Sequence, residues 1–202
     1  MKILHIDASA NLGGNGRVLT RYLVDQLAAD EVVVRDVAQE NLPVMSAETL
    51  INLYTYAEGS KVGGRLQTHL ALSALLIEEL ISADVVVLGV PMYNFGVPAY
   101  LKNWIDHVAR QGQTCRYGAD GPEGLIGDTR IFIVATSGGT PIGSNADHAT
   151  HHVSQVFGFL GATSVEVIDA GGSKGSVEQI IESGKRQIDG LVHQTQQIAQ
   201  SS

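Results

Sequence analysis

The amino-acid sequence predicts one α/β domain in which helices cover both faces of a five-stranded parallel sheet. Segments with the length and apolar content of strands alternate with segments of helical periodicity along the whole chain. Residues 85–90 form an unbroken apolar run, which is typical of a strand buried on both faces. Because crossovers between parallel strands are right-handed, we predict a doubly wound, three-layer sandwich. At 202 residues, 44% of them hydrophobic, the chain is expected to be a single domain, residues 1–202, with a sizeable core.

The first part of the chain predicts two strands, two helices and an excursion between them. Residues 2–7 and 31–36 are short segments of strand character, and residues 17–29 place leucines on one helical face. The helical period then lapses over residues 37–64, which are mixed and polar. This segment is long for a plain loop, so we predict an excursion with short helical pieces. Helical spacing returns over residues 67–81.

The middle of the chain predicts a strand, a loop and a helix in direct succession. After the strand at residues 85–90, the loop 91–98 places two aromatic side chains, an amide and a thioether at the carboxyl end of the strand, and Tyr93, Asn94 and Phe95 have no core to fill. Pro98 suits the first turn of the helix that follows, because proline lacks an N–H that this turn would leave unpaired. Residues 111–127 are rich in glycine and are predicted to be irregular.

The last part of the chain repeats the alternation of strand and helix. Strands are predicted at residues 129–135 and 164–168, and a glycine-rich loop and a helix over residues 148–160 separate them. A polar, amphipathic helix over residues 177–199 closes the chain. The sequence shows no repeat and no linker that would divide this arrangement into two domains.

The charge and the single cysteine argue against several kinds of partner and site. A net charge of −8 and a pI near 5.2 argue against nucleic acid and anionic membranes, because phosphate binding needs clustered Lys and Arg. No apolar run reaches membrane length and no leader is recognisable, so the cytoplasm is the expected location. Cys115 has no base beside it and is expected to be a small packing residue. Because no carboxylate or cysteine cluster joins His148, His151 and His152, we predict no metal site.

Three loops that follow predicted strands indicate a ligand site. Residues 8–16, 91–98 and 136–145 follow the first, third and fourth strands, and such loops meet at one edge of an open parallel sheet. The first loop leads into a helix, whose unpaired amide groups and positive dipole end favour a phosphate. Tyr93 and Phe95 are suited to stacking, and glycines in the third loop allow close amide contact with a flat heterocycle. The alternative is that Tyr93, Asn94 and Phe95 belong to a packed loop without a ligand.

Several long motifs are similar to those of one enzyme family. They are KILHIDAS at the start, PMYNFGVPAYLKNWIDHVAR in the middle, TCRYGADGPEGLIGDTRIFIVATSGG after it and FGFLGA near the fifth strand. Through them the chain resembles, nearly end to end, the flavodoxin-like FMN-dependent NADH azoreductases and quinone reductases. The resemblance implies a parallel sheet in the order 2-1-3-4-5 and a homodimer with FMN near the subunit interface. It also implies ping-pong transfer of two electrons from NADH or NADPH to a quinone or an azo compound.

The resemblance also assigns roles to individual residues. It implies that the FMN phosphate is contacted by Ser9, Gly14, Asn15, Gly16 and Arg17. It implies that the isoalloxazine ring lies along Pro91, Met92, Tyr93, Asn94 and Phe95. The pyrimidine edge of that ring would be contacted by Thr136, Ser137, Gly138 and Gly139. Tyr117 and Phe159 match positions that line the substrate side of the flavin. No catalytic acid or nucleophile is expected, because the cofactor supplies the chemistry and the protein positions it.

The first loop departs from the family pattern. Members usually carry a serine, any residue and a second serine before the first helix, where this chain has Gly14, Asn15 and Gly16. We expect the glycines to let backbone amides close on the phosphate and Arg17 to supply positive charge. After the fourth strand, Pro141 replaces a residue that is often His or Tyr, which would alter the substrate range.

Two other classes of protein share parts of this pattern. A flavodoxin-type electron carrier would have the same fold and acidity but no substrate pocket, whereas residues 37–64 and 111–127 offer material for a pocket and a dimer. A Rossmann dehydrogenase would explain Gly14 and Gly16 followed by Asp36. However, the first loop is too long for the tight turn of that motif and lacks its third glycine. We therefore prefer the flavin-dependent oxidoreductase.

Overall fold

The structure is a computed structural model that describes residues 1–55, 63–172 and 175–200. Its strands are β1 Lys2–Asp7, β2 Glu31–Asp36, β3 Val85–Pro91, β4 Cys115–Gly118, β5 Gly121–Gly124, β6 Arg130–Thr136 and β7 Ser164–Asp169. Its helices are α1 Asn15–Leu27, α2 Ala47–Thr55, α3 Gly64–Ile81, α4 Ala99–Val108, α5 His148–Leu160 and α6 Val177–Gln200. The part of the predicted excursion that covers residues 56–62 lies outside the described residues.

Five strands form one parallel sheet in the order β2-β1-β3-β6-β7. The register aligns the strand starts, since Ile3 lies opposite Val85, Val85 opposite Arg130 and Arg130 opposite Ser164. Each connection between consecutive strands of this sheet contains a helix. The predicted five-stranded parallel sheet is confirmed, and its order agrees with 2-1-3-4-5 when the two strands outside the sheet are left out of the count.

Two apolar cores cover the two faces of the sheet. On one face, α1 and α6 bury Leu19, Leu23 and Ile188 against the strands. On the other face, α3, α4 and α5 bury a larger set that includes Trp104 and Phe157, whose ring centroids lie 6.4 Å apart. Every residue of β3 is buried, as its unbroken apolar run predicts. This packing fixes the carboxyl ends of the strands, where the functional loops begin.

The segment predicted to be irregular at residues 111–127 contains an antiparallel hairpin, so that prediction is corrected. Strands β4 and β5 pair with Tyr117 opposite Pro122. The hairpin docks on the end of α5 at Gly124, where an added Cβ would lie 2.1 Å from the backbone of Leu160 and Gly161. Such a close approach of two backbones requires glycine. The sequence pattern could not predict this hairpin, because its strands have no alternating apolar face. Contact with α5 stabilises the hairpin instead.

Among the described residues, no helix is both long enough and apolar enough to cross a membrane. The longest helix, α6, has an amphipathic pattern, with Ile188 and Val192 facing the core and Glu178 and Gln179 exposed.

Candidate functional site

A cavity of about 430 Å³ lies at the carboxyl ends of β1, β3, β6 and β7, within the volume range of small-ligand sites. The structure brings ten of the predicted residues to it: Ser9, Gly14, Asn15, Gly16, Pro91, Met92, Tyr93, Thr136, Ser137 and Gly138. The segment after β7 and the start of α6 add Ala170, Gly172, Val177 and Ile180, which the sequence interpretation missed. The available signal was their position, because they too follow the carboxyl end of a parallel strand.

Free backbone amides at the start of α1 form one end of this cavity. The first hydrogen bond of the helix runs from the Val18 N–H to the Gly14 carbonyl, with an N···O distance of 3.3 Å. The N–H groups of Asn15, Gly16 and Arg17 have no acceptor among the residues that the structure describes. These amides and the positive end of the helix dipole favour an anionic ligand such as a phosphate.

Glycines allow the loops after β1 and β6 to approach each other. A Cβ added to Gly16 would lie 3.2 Å from Cγ2 of Thr136, tighter than ordinary contact. At Gly138 and Gly139 an added Cβ would meet nothing within 4 Å, so these two residues present bare backbone at an open surface. Gly139 lines an adjoining cavity of about 410 Å³ that shares Ser137 with the first. Backbone peptide groups therefore form much of the cavity wall that follows β6.

The loop after β3 is a tight, strained turn. The backbone groups of Tyr93 and Gly96 bond to each other with N···O distances of 3.0 and 3.1 Å. Between them, Asn94 and Phe95 adopt left-handed φ values of 51° and 70°, which are costly for a bulky residue. Phe95 is 56% exposed, and the Tyr93 hydroxyl accepts the Ala10 N–H over 3.2 Å. The turn thus ties the second loop to the first and holds an aromatic side chain in solvent.

A second, mainly apolar cavity of about 730 Å³ adjoins this turn. Tyr93 lines both cavities, and Asn94 lines the second one together with the start of α4 and the first turns of α5. His148 and His152 lie in its wall. Burial, and to a lesser extent nearby Lys102, lower the pKa of His152 below its usual value. Among the described residues, no group of three or more His, Cys, Asp and Glu side chains is placed to hold a metal ion.

Asp147 anchors the loop after β6, a role that the sequence did not reveal. Its carboxylate is fully buried and accepts hydrogen bonds from the N–H groups of Gly143, Ala149 and Thr150 and from the Thr150 hydroxyl. It is also the N-cap of α5. Burial raises the pKa of Asp147, but these hydrogen bonds outweigh it and hold the pKa below its usual range. One carboxylate therefore fixes both the loop and the helix that follows.

The expectation that Arg17 supplies charge to a phosphate is corrected by the structure. The Arg17 side chain is only 3% exposed. Its guanidinium donates two hydrogen bonds to Asp36, at 2.7 and 2.8 Å, two to the Ser9 carbonyl, at 2.7 and 3.2 Å, and one to Asp7, at 3.3 Å. These bonds turn the charge of Arg17 toward the buried carboxylate of Asp7 and the half-buried carboxylate of Asp36, beneath the loop. Its backbone N–H, in the first turn of α1, has no acceptor among the described residues.

Tyr117 and Phe159 pair with each other but lie away from the cavity of their own chain. Their ring centroids are 6.4 Å apart, and Tyr117 is 66% exposed. The first residue of α5, His148, donates its N–H to the Phe95 carbonyl beside the cavity. A rise of 1.5 Å per residue then puts Phe159 about 16 Å further along the helix. The pair therefore lies toward the end of the sheet opposite the carboxyl ends of its strands.

Comparisons with known proteins agree with this arrangement. The profile of the Flavodoxin_2 family, described as a flavodoxin-like fold, matches residues 1–192. The chain is 39% identical to the FMN-dependent NADH:quinone oxidoreductase of Erythrobacter litoralis over 98% of both chains. It is 43% identical to FMN-dependent NADH:quinone oxidoreductase 3 of Pseudomonas fluorescens over 85% of this chain and 87% of the relative.

Solved structures give the same result for the fold. The crystal structure of an azoreductase from Bacillus anthracis superposes with a TM-score of 0.85 at 25% identity, covering 96% of this chain and 99% of that one. A second azoreductase from this organism, an FMN-dependent NADH-azoreductase in complex with FMN, gives a TM-score of 0.83 at 17% identity, covering 96% and 98% of the two chains. The chain therefore belongs to the flavodoxin-like family whose members include the FMN-dependent NADH:quinone oxidoreductases.

Proposed function

We propose that the protein is an FMN-dependent oxidoreductase that transfers two electrons from NADH to quinones and aromatic azo compounds. The single observation that carries this proposal is the cavity itself. It combines free helix-terminal amides at one end with the apolar turn after β3 and the exposed backbone of Gly138 at the other. The two ends match a phosphate and a flat heterocyclic ring. The names of the relatives independently support FMN, NADH and quinone.

The residues present fit FMN by their chemistry. The amides of Asn15, Gly16 and Arg17 would hold the phosphate, and Met92 and Tyr93 would lie along the ring system. Backbone donors at Gly138 and Gly139 would stabilise negative charge on the pyrimidine edge. Bound FMN supplies hydride-transfer chemistry, and the protein contributes orientation and electrostatics.

The cavity wall supports a mechanism in which the cofactor, rather than a charged side chain, supplies the chemistry. Among the described residues that line the 430 Å³ cavity there is no Asp, Glu, His, Cys, Lys or Arg. Among these lining residues, Tyr93 is the one side chain of a type that commonly transfers protons, and its hydroxyl accepts the Ala10 N–H. We infer that the nicotinamide and the acceptor use one face of the site in turn.

Steady-state kinetics and a visible spectrum test this proposal together. The purified protein, after incubation with FMN and removal of free flavin, is expected to show flavin absorption, and double-reciprocal plots with NADH and a benzoquinone are expected to be parallel. Parallel lines follow because one substrate must leave before the other binds. Lines that intersect would mean that both substrates bind at once, and a protein that retains no flavin would contradict the function itself.

We propose further that two subunits complete each site in a homodimer. Tyr117 is exposed, Phe159 is half-buried, and the pair lies far from its own cavity, so it can serve as a substrate wall only for the cavity of a partner. An open apolar turn carrying Phe95 would receive it. Without a partner, a flavin on this turn would be exposed to solvent on its reactive face. The proposal explains why Tyr117 of the hairpin is exposed beside Phe159 of α5.

Mixing two inactive variants tests this arrangement. Gly138→Glu fills the cavity from a position with open space, and the double variant Tyr117→Ala, Phe159→Ala removes the aromatic pair. A mixed dimer contains one intact site if the pair acts across the interface, so refolding the variants together is expected to recover about a quarter of wild-type activity under random assortment. Recovery of no activity, with dimers verified by light scattering, would mean that the pair acts within its own chain.

A further inference from the structure

A buried ionic network lies directly beneath the loop that faces the proposed phosphate. Asp7 ends β1, Asp36 ends β2 and Arg17 lies in the first turn of α1, so three elements bring their charges together at the carboxyl edge of the sheet. Asp7 and Arg17 are each 3% exposed. The Thr20 hydroxyl also donates to Asp7, at 3.2 Å. None of these three charged residues lines the 430 Å³ cavity, and the proposed chemistry does not use them.

We propose that Arg17 is a positioning residue that holds the FMN-phosphate loop in its binding shape from beneath, by tying the Ser9 carbonyl to Asp36. This inference rests on the proposed function, since it assumes that the loop binds the phosphate of FMN. It assigns Arg17 a role that differs from direct contact with the ligand, and it gives Asp36 a role in cofactor binding.

The contacts of Ser9 carry the first step of the argument. The Ser9 carbonyl accepts two hydrogen bonds from Arg17, from Nη2 at 2.7 Å and from Nε at 3.2 Å. Ser9 lines the cavity, and the Arg17 N–H, directly after the lining residues Asn15 and Gly16, has no acceptor among the described residues. One side chain therefore joins the two ends of the loop, residues 9 and 17. A loop closed in this way loses less conformational freedom when a ligand binds.

The carboxylate of Asp36 carries the second step. It receives Nη1 of Arg17 at 2.7 Å and Nη2 at 2.8 Å, a two-pronged geometry that only a planar guanidinium can provide. The hydrogen bonds from Arg17 hold the pKa of Asp36 below its usual range. Because β2 is paired with β1 in the sheet, Asp36 gives the guanidinium a fixed support. Through Asp36, the sheet therefore fixes the position of the loop.

Two isosteric or charge-conserving variants test this proposal by comparing FMN with riboflavin, which lacks the phosphate. Arg17→Lys keeps the charge but cannot bond Ser9 and both oxygens of Asp36 at once, and Asp36→Asn removes the charged support. Each is expected to raise the Kd for FMN about tenfold and to change the Kd for riboflavin by less than about threefold. A displaced loop places its backbone amides less well on the phosphate, and the weakening of such hydrogen bonds has about that effect.

Asp36→Asn separates positioning from direct contact. If Arg17 reached the phosphate itself, release from Asp36 would free its charge and tighten FMN binding, which would overturn the proposal. Unchanged FMN binding in both variants, or equal losses for FMN and riboflavin, would overturn it as well. Failure of the wild type to bind FMN would instead contradict the proposed function, so the two failures are distinguishable.

Arg35 provides a matched control. It also makes a two-pronged pair with a carboxylate, donating to Glu79 at 2.5 and 2.8 Å, but it joins β2 to α3 away from the cavity. Arg35→Lys is expected to leave the ratio of the two dissociation constants unchanged within about twofold, because it breaks a comparable pair that supports no phosphate loop. A ratio that moves as much as in Arg17→Lys would show that any loss of a bridging arginine disturbs FMN, and would overturn the proposal.

Discussion

Gly124→Ala is expected to lower the free energy of unfolding by about 3 kcal/mol or more, one of the two largest effects that the structure predicts. The new Cβ would lie 2.1 Å from the Gly161 nitrogen and the Leu160 carbonyl carbon. Both are backbone atoms, so no side chain can turn aside. The Ile126 N–H donates to the Leu160 carbonyl at this same contact, with an N···O distance of 3.1 Å, and would be displaced with it. Urea denaturation measures the change.

The same substitution is expected to separate substrate turnover from cofactor binding. Displacement of the hairpin moves Tyr117 away from Phe159, so quinone reduction should fall, whereas FMN binding at the other edge of the sheet should persist. Gly158→Ala is the control, because an added Cβ there meets nothing within 4 Å. In the exposed interior of α5 it should stabilise the protein by about 0.5–1 kcal/mol. If both variants unfolded at the wild-type midpoint, the contact at Gly124 could not be as close as described.

The sheet was predictable because its signals are local. An unbroken apolar run such as β3 has few alternatives to a doubly buried strand, and leucines such as Leu19 and Leu23 recur with the period of α1. The β4–β5 hairpin has no such signal, since all but the first residue of β4 is exposed. Its stability comes from contact with α5, which is distant in sequence. Propensity rules cannot detect an element of this kind.

The candidate site was predictable to the level of loops but not of side-chain direction. Parallel topology alone brings the residues after β1, β3 and β6 together, which accounts for the ten predicted residues in the cavity. For Arg17, the sequence gives its place at the helix start but not the two carboxylates that bind its guanidinium. The sequence did not identify Asp147, because the residues around an aspartate in a polar loop do not show whether its carboxylate is buried or exposed.

Asp147→Ala is expected to lower the free energy of unfolding by about 3 kcal/mol at pH 7 and to weaken FMN binding. The substitution leaves the N–H groups of Gly143, Ala149 and Thr150 without their buried acceptor, and each hydrogen bond to a charged group contributes about 1.5–3 kcal/mol before the chain relaxes. Because Ser137 bonds to the Thr140 carbonyl within the same loop, loss of the anchor should loosen the wall beside Gly138 and Gly139.

The pH dependence of stability identifies the carboxylate itself as the cause. The pKa of Asp147 is lowered from 3.8 in the folded protein, so its unfolded form binds the proton more readily. Its stabilising effect is therefore complete above about pH 5 and is lost as the pH falls through the folded pKa. Asp147→Asn is expected to show a shallower loss of stability in acid than the wild type. Asp106→Asn breaks only a surface pair with Lys102 and should shift the free energy of unfolding by less than about 1 kcal/mol. An acid profile of Asp147→Asn that parallels that of the wild type would mean that another group governs the acid lability of this loop.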